Sequence, residues 1–235
     1  MSRRKGIIIA YDSKGLPGFE TGWGFSALIT GRHNVLFDCG WDGSMLLRNL
    51  GRLNIGLTEI HRIVISHAHW DHLSGLAAVL REHSEPEGVQ VFVPASFSPH
   101  LKREISRSAD LREITGPEEI ARDVFTTGEL GNGPGEQSLL MVDGDECVVI
   151  TGCAHPGIGE ITDRASLTAT PRWLIGGFHD AMPGEMPDGL DRVVMCHCTR
   201  HREEIGRVFG NAASDGCVGR AYAVAGRTLV ENGVE

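Results

Sequence analysis

The apolar positions of this chain fall into short runs separated by turns rich in Gly, Asp and Asn, a strand-dominated pattern broken by a few amphipathic segments. Residues 6–11, 23–30 and 34–38 read as strands, the last two joined by the hairpin-like turn Gly31-Arg32-His33. Met45, Leu46, Leu47 and Leu50 give residues 44–53 an apolar face and hence a helix. Ile63, Val64 and Ile65 predict a strand over 62–66. Leu73, Leu76, Ala77 and Leu80 predict a helix over 73–83, followed by a strand over 89–93. From 96 to 130 the pattern is weak and charged, with a helix near 100–106.

The second half repeats this style without repeating the sequence. Residues 138–142 and 147–151 form a hairpin across Asp143-Gly144-Asp145, and a helix lies within 159–167. Strands over 173–178 and 192–196, a helix over 202–209 and final strands over 218–224 and 228–230 complete the chain. Strand runs followed by strand–helix alternation, twice over, predict two packed sheets with helices on their outer faces. Periodicity alone leaves another α/β arrangement open. The length of 235 residues favours a single domain, 1–235, over two.

Charge and composition narrow the partners. The formal net charge of −9, from 22 Lys and Arg against 31 Asp and Glu, argues against sequence-independent nucleic-acid binding, which needs a basic surface. It leaves room for a small anionic substrate held by a metal or a local basic cluster. No apolar run approaches the roughly 18 residues of a membrane span. The basic start Met1-Ser2-Arg3-Arg4-Lys5 precedes only Ile7-Ile8-Ile9-Ala10, too short for a secretory signal. The six scattered cysteines then read as thiols rather than a disulfide framework. A cytoplasmic protein without membrane or nucleic-acid partners is expected.

Six of the eleven histidines (67, 69, 72, 155, 179 and 197) directly follow strand-like runs. The densest group is His67-Ala68-His69-Trp70-Asp71-His72, between a buried-type strand and an amphipathic helix. Three imidazoles and a carboxylate in so short a segment make a poor core unless each is paired or metal-bound. Strand ends at one edge of a sandwich can converge, and neutral imidazole is a common ligand for metals such as zinc.

This group resembles the His-x-His-x-Asp-His signature of the metallo-β-lactamase superfamily, with the later histidines in the expected order. The resemblance spans essentially the whole chain and implies a four-layer αββα sandwich with a two-metal site at one edge. It implies that His67, His69 and His155 hold a first metal and that Asp71, His72 and His197 hold a second. Phe37-Asp38-Cys39-Gly40 is similar to the family's Phe-Asp-x-Gly turn, so Asp38 would support the metal loop from behind its ligands. Further segments resemble one branch, named for 7,8-dihydropterin-6-yl-methyl-4-(β-D-ribofuranosyl)aminobenzene 5′-phosphate synthase. They are Trp23-Gly24-Phe25-Ser26, Gly135-Glu136-Gln137-Ser138, Gly152-Cys153-Ala154-His155-Pro156-Gly157, Gly176-Gly177-Phe178-His179 and Cys196-His197-Cys198-Thr199.

Two departures stand out. Where superfamily hydrolases carry a bridging Asp, this chain, like the branch, has His179, followed by Asp180. Adjacent strand residues face opposite ways, so one of the two faces the metals, His179 by preference. A neutral imidazole cannot bridge two cations as a carboxylate does, so the second ion is expected to be the weaker-held. The other departure is Arg200, where the branch commonly has Gly, which adds a charge for substrate beside the site.

The remaining features are assigned more plainly. Cys196 and Cys198 flank His197 at a spacing unsuited to a structural zinc knuckle, and with Cys153 read as buried packing residues. Lys102, Arg103, Arg107 and Arg112 form a basic cluster that an anionic substrate would suit, or a solvated face balanced by Glu104, Asp110 and Glu113. Trp70 is either a wall of the substrate pocket or core. Gly22-x-Gly24 and Gly131-x-Gly133-x-Gly135 lack the strand–turn–helix setting of a nucleotide loop, and no Gly-x-Ser-x-Gly elbow exists.

The expected function is an enzyme whose one or two ions, zinc by preference with iron or manganese as alternatives, polarise a substrate oxygen and activate water for hydrolysis of a small anionic compound. Asp71 would both ligate and orient the water, and residues 96–135 would form an insertion that sets specificity. Alternatives are a synthase joining a dihydropterin pyrophosphate to an aryl amine, and a non-hydrolytic di-iron module or sensor.

Overall fold

The computed structural model describes residues 5–85, 88–133, 135–225 and 228–233; the basic start, Met1–Arg4, lies outside them. Among the described residues, fifteen strands form two sheets. The first contains β1 (Gly6–Tyr11), β2 (Ser26–Thr30), β3 (Asn34–Phe37), β4 (Ile60–Val64), β5 (Gln90–Pro94) and β6 (Asp110–Ile114). Two late strands, β14 (Arg220–Ala225) and β15 (Thr228–Gly233), give it the order β15-β14-β1-β2-β3-β4-β5-β6. The second contains β7 (Glu118–Ala121), β8 (Val124–Thr126), β9 (Leu139–Asp143), β10 (Glu146–Thr151), β11 (Thr170–Gly176), β12 (Arg192–Met195) and β13 (Ala213–Asp215), in the order β13-β12-β11-β10-β9-β8-β7.

Both faces of each sheet are covered, which is why the strands read as nearly continuous apolar runs. Ile7, Ile9, Ala27, Ile29, Val35, Phe37 and Val64 meet Leu139, Met141, Val148, Ile150, Ile175 and Val194 between the sheets. Their neighbours one residue along point outwards, as a period of two requires. Leu28, Leu36, Ile63, Val91 and Val93 pack under α1 (Gly43–Arg52), α3 (Leu76–Glu82) and α4 (Pro99–Ser106), through Leu46, Leu50, Val79, Leu80 and Ile105. Leu140, Val149, Leu174 and Val193 pack under α5 (Ile158–Ser166) and α6 (Arg202–Phe209), through Ile158, Ile161, Ala165 and Ile205. The result is the expected four-layer αββα sandwich.

Two local expectations change. The helix over 73–83 is broken into α2 (Trp70–Leu73) and α3 because Gly75 lies against the backbone of the turn after β3. A Cβ there would stand 2.0 Å from the Cys39 carbonyl oxygen, and the Gly75 N–H donates to Gly40 O. The weakly patterned stretch from 96 holds α4 and three strands, β6 to β8, that finish the edges of both sheets.

Strand direction places the site. β3, β4 and β5 run parallel, as do β10, β11 and β12, so their carboxyl ends share an edge. The segments after β3, β4, β10, β11 and β12 carry Asp38, His67–His72, His155, His179 and His197, respectively.

Candidate metal centre

Ser66 and His67 follow β4 directly, and the Phe37-Asp38 turn after β3 holds them. Asp38 adopts φ 58°, a left-handed conformation that Asp tolerates, and is wholly buried. Its Oδ1 accepts the Ser66 N–H at 2.7 Å, and its Oδ2 accepts the Ser66 hydroxyl at 2.7 Å and His72 Nδ1–H at 2.6 Å. Since that hydroxyl is committed to Asp38, His67 Nδ1–H donates to Ser66 Oγ at 2.8 Å. Both imidazoles are therefore fixed through Nδ1 and turn Nε2 towards the other donors.

The second sheet repeats this device with a residue that sequence reasoning quoted but gave no role. Glu136 is buried, and its Oε1 accepts the N–H groups of Cys153 and Ala154, each at 2.9 Å. Its Oε2 accepts the His155 N–H at 2.9 Å and His155 Nδ1–H at 2.8 Å. Burial opposes charge on Glu136, but the hydrogen bond from His155 and the nearby imidazoles outweigh it and hold the carboxyl well below the usual range. Asp12, after β1, does the same for the third loop: its Oδ1 accepts the His197 N–H at 2.8 Å. Burial raises Asp12 to about 6 despite the opposing pull of His197 and the backbone donors. An acid at the end of an apolar strand was the available signal for Asp12, whereas Glu136, in the polar segment Gly135-Glu136-Gln137-Ser138 before β9, gave none.

Two groups of donors result. The ligand atoms of His67, His69 and His155 lie within 4.8 Å of one another, and so do those of Asp71, His72 and His197. In the second group His72 Nε2 and His197 Nε2 are 3.2 Å apart, with Asp71 Oδ2 at 3.8 and 3.9 Å from them. The donor set suits a divalent metal on two observations. His67 Nε2 is buried without a hydrogen-bond partner, and burial, reinforced by repulsion from His72, depresses His67 to about 2, leaving the imidazole neutral. Several imidazoles with a carboxylate are also the donors that such ions prefer.

The structure corrects two expectations here. His179 joins neither group: after β11 it takes φ 41°, its ring lies tilted at 47° beside that of His155 with ring centres 5.2 Å apart, and its Nδ1 pairs with Asp180 Oδ2 at 2.9 Å. Asp180 does not replace it, because its other oxygen accepts from Arg200 Nη1 at 2.7 Å on the exposed rim. Cys153, expected as packing, has its Sγ 3.2 Å from His72 Nε2 and 3.5 Å from His197 Nε2.

Around the opening, Trp70 is half-exposed between His69 and Asp71 and makes an edge contact with Trp41, ring centres 4.9 Å apart. Trp23 makes an edge contact with His197 at 5.6 Å. Trp23 and Trp41 also line a groove of about 590 Å³ with Tyr11 and Met45. Three of the four residues of the basic cluster are paired locally: Lys102 with Glu113, Arg107 with Glu104 and Arg112 with Asp110.

Comparison with known proteins places this site in a family. An uncharacterized protein of Methanocaldococcus jannaschii is 28% identical over 218 residues, spanning 80% of this chain and 84% of its own. From the same organism, 7,8-dihydropterin-6-methyl-4-(beta-D-ribofuranosyl)-aminobenzene-5'-phosphate synthase is 24% identical over 228 residues, spanning 74% of this chain and 78% of that protein. The solved structure of a metal-dependent hydrolase of the beta-lactamase superfamily superposes with a TM-score of 0.73 at 25% identity, covering 94% of this chain and all of that one. The family model of the metallo-beta-lactamase superfamily matches residues 24–197, a span that holds all the histidines of both donor groups, and the chain belongs to that superfamily.

Proposed function

We propose that the protein is a metal-dependent hydrolase of small anionic substrates, using zinc in one or two positions, with iron or manganese able to take the same donors. The observation that carries this reading is the convergence of His67, His69 and His155 with Asp71, His72 and His197 at one sheet edge. Buried carboxylates fix three of these imidazoles, His67 through Ser66, His72 directly and His155 directly. The first three residues would hold one ion and the other three a second.

When bound, the metal supplies Lewis-acid polarisation and lowers the pKa of water towards about 7. Asp71 would orient that water with its carboxylate. Trp70, Trp41 and Trp23 offer flat apolar surfaces for the body of the substrate. Arg200, 63% exposed beside Asp180, would meet its anionic end. Substrate choice would fall to the end of the 96–135 stretch, since Gly131, Asn132 and Gly133 line a small cavity with His155. No helix among the described residues is long and apolar enough to cross a membrane, and all six cysteines are free thiols. The thiols support a cytoplasmic setting.

A second reading is favoured by the synthase relative and by the tryptophans, which would suit a pterin or an aryl amine. In it the same six residues would hold metal that supplies Lewis-acid stabilisation to a pyrophosphate leaving group, the amine nitrogen bonding to the pterin methylene carbon as that carbon's bond to the pyrophosphate oxygen breaks. The deciding experiment offers metal-loaded protein a panel of phosphoesters, thioesters and lactones, and separately a dihydropterin pyrophosphate with an aryl amine. Hydrolysis that is lost on chelation and restored by metal supports the first reading. Pyrophosphate release that requires the amine, with no ester cleaved, overturns it in favour of the second.

A further inference from the structure

The metal-binding reading leaves a charge imbalance. Among the described residues, Asp71 is the single carboxylate in the two donor groups, and the rest are imidazoles. Glu136 is turned towards the backbone of Cys153–His155, and Asp180 faces the rim. Two divalent cations in such a site would repel one another with little anionic charge between them.

One further group is in place to supply it. Cys153 Sγ is 3% exposed at the residue level and stands 3.2 Å from His72 Nε2 and 3.5 Å from His197 Nε2, which are themselves 3.2 Å apart. Tetrahedral zinc, with Zn–N of about 2.0–2.1 Å and Zn–S of about 2.3 Å, sets its nitrogen donors about 3.3 Å apart and its nitrogen and sulfur donors about 3.6 Å apart. The His72–His197 edge at 3.2 Å and the Cys153–His197 edge at 3.5 Å match these spacings, and the Cys153–His72 edge at 3.2 Å is shorter by about 0.4 Å. The same sulfur also groups within 4.8 Å with His67 and His72, so it faces both donor sets. Glu136 fixes its backbone, and Cys198 Sγ lies 3.4 Å away.

We propose that Cys153 is the anionic ligand the centre otherwise lacks. Its thiolate would complete the Asp71–His72–His197 set, and because the same sulfur also groups with His67 and His72 it would offer its charge to both donor sets. On metal entry the thiol gives its proton to solvent and the sulfur lone pair goes to the ion, so no oxidant or reductant is involved. A soft donor at this point also favours zinc or cobalt over magnesium or calcium.

This inference rests on the metal-binding reading above, and the experiment separates the two. Metal-free protein is titrated with Co²⁺ alone and followed by near-ultraviolet absorption and by metal content. The wild type should show a thiolate-to-cobalt charge-transfer band. In Cys153→Ser the band should vanish and the second ion bind at least about a hundredfold more weakly, because even the outer partners of ligands are worth about tenfold to a hundredfold. Cys198→Ser should keep the band. X-ray absorption of zinc-loaded wild-type protein should show sulfur in the first coordination shell, a measurement that does not depend on any variant folding. A shell of nitrogen and oxygen only, or a band that survives Cys153→Ser or is lost only in Cys198→Ser, overturns the assignment and leaves the metal-binding reading standing. A wild type that takes up no metal overturns both.

Discussion

Replacing Glu136 by Gln tests whether one buried carboxylate builds the His155 arm of the site. The wild-type side chain accepts four hydrogen bonds, from the N–H groups of Cys153, Ala154 and His155 and from His155 Nδ1. An amide of the same shape has one acceptor oxygen, so in either orientation its NH₂ faces two donors. Two charge-assisted bonds are then lost at about 1.5–3 kcal/mol each. Relief of burying a charge offsets part of that. A net loss of about 2–5 kcal/mol is expected, a large share of the roughly 5–15 kcal/mol of a typical domain. Because the loop also orients His155, affinity for the first metal should fall about tenfold to a hundredfold. Urea denaturation of metal-free protein gives the first quantity, and competition with a chromophoric chelator gives the second. A variant within about 1 kcal/mol of wild type that binds metal unchanged would refute the argument that Glu136 holds this loop.

Other perturbations have equally definite outcomes. His67→Ala, His69→Ala or His155→Ala should each remove the stoichiometric first metal while circular dichroism stays native; full metal retention in any one excludes that residue as an essential ligand. Gly24→Ala puts a Cβ 2.2 Å from the Asp71 carbonyl oxygen at a residue with φ 124°, so it should weaken the second metal more than the first, and equal retention of both would contradict that. Arg200→Ala should cost about tenfold to a hundredfold in kcat/KM for an anionic substrate and little for a neutral analogue, with metal content unchanged; equal effects would remove Arg200 from recognition. Chelation should lower thermal stability, since metal at a hundred times its Kd adds about 2.7 kcal/mol to the native state; an unchanged Tm would mean that no ion is held at working concentration.

Much of the architecture was legible because its signals are local. The sheets that carry the site are buried on both faces, so Ile7–Ala10, Ile63–Ile65 and Val148–Ile150 read as strands from composition alone. The His67–His72 group is compact in sequence, and its ligands follow strands whose parallel directions bring them to one edge. What escaped was edge structure and long-range contact. In β6, Asp110, Arg112 and Glu113 are exposed, and β13 has only three residues, so neither shows a clear apolar period. Glu136 meets residues 17 to 19 positions away, and Cys153 meets His72 across 81, distances over which pattern carries no information. His179 was placed among the ligands because it stands after β11 where superfamily hydrolases carry a bridging Asp; its backbone is left-handed there, and its ring lies beside His155 with Nδ1 on Asp180.

The three buried carboxylates explain why the site sits where the sheets meet. Asp38 and Asp12 follow strands of the first sheet, and Glu136 precedes β9 of the second. Asp12 reaches across to hold His197 of the second sheet, while Asp38 holds the loop of its own sheet. Within each donor group, the distance from the first-sheet ligands to His155 or His197 of the second sheet is therefore set by the packing of Phe37, Val64, Ile150 and Val194 between the layers. A close-packed core of that kind resists small displacements, which gives rim loops a fixed reference. Asp12 and Asp38 are carboxyl groups removed from water, and burial raises both. In the metal-free protein that burial is unfavourable; a cation at the centre compensates it. Fold and site are thus coupled through charge: the residues that hold the ligands in place also make the folded chain favour a bound cation.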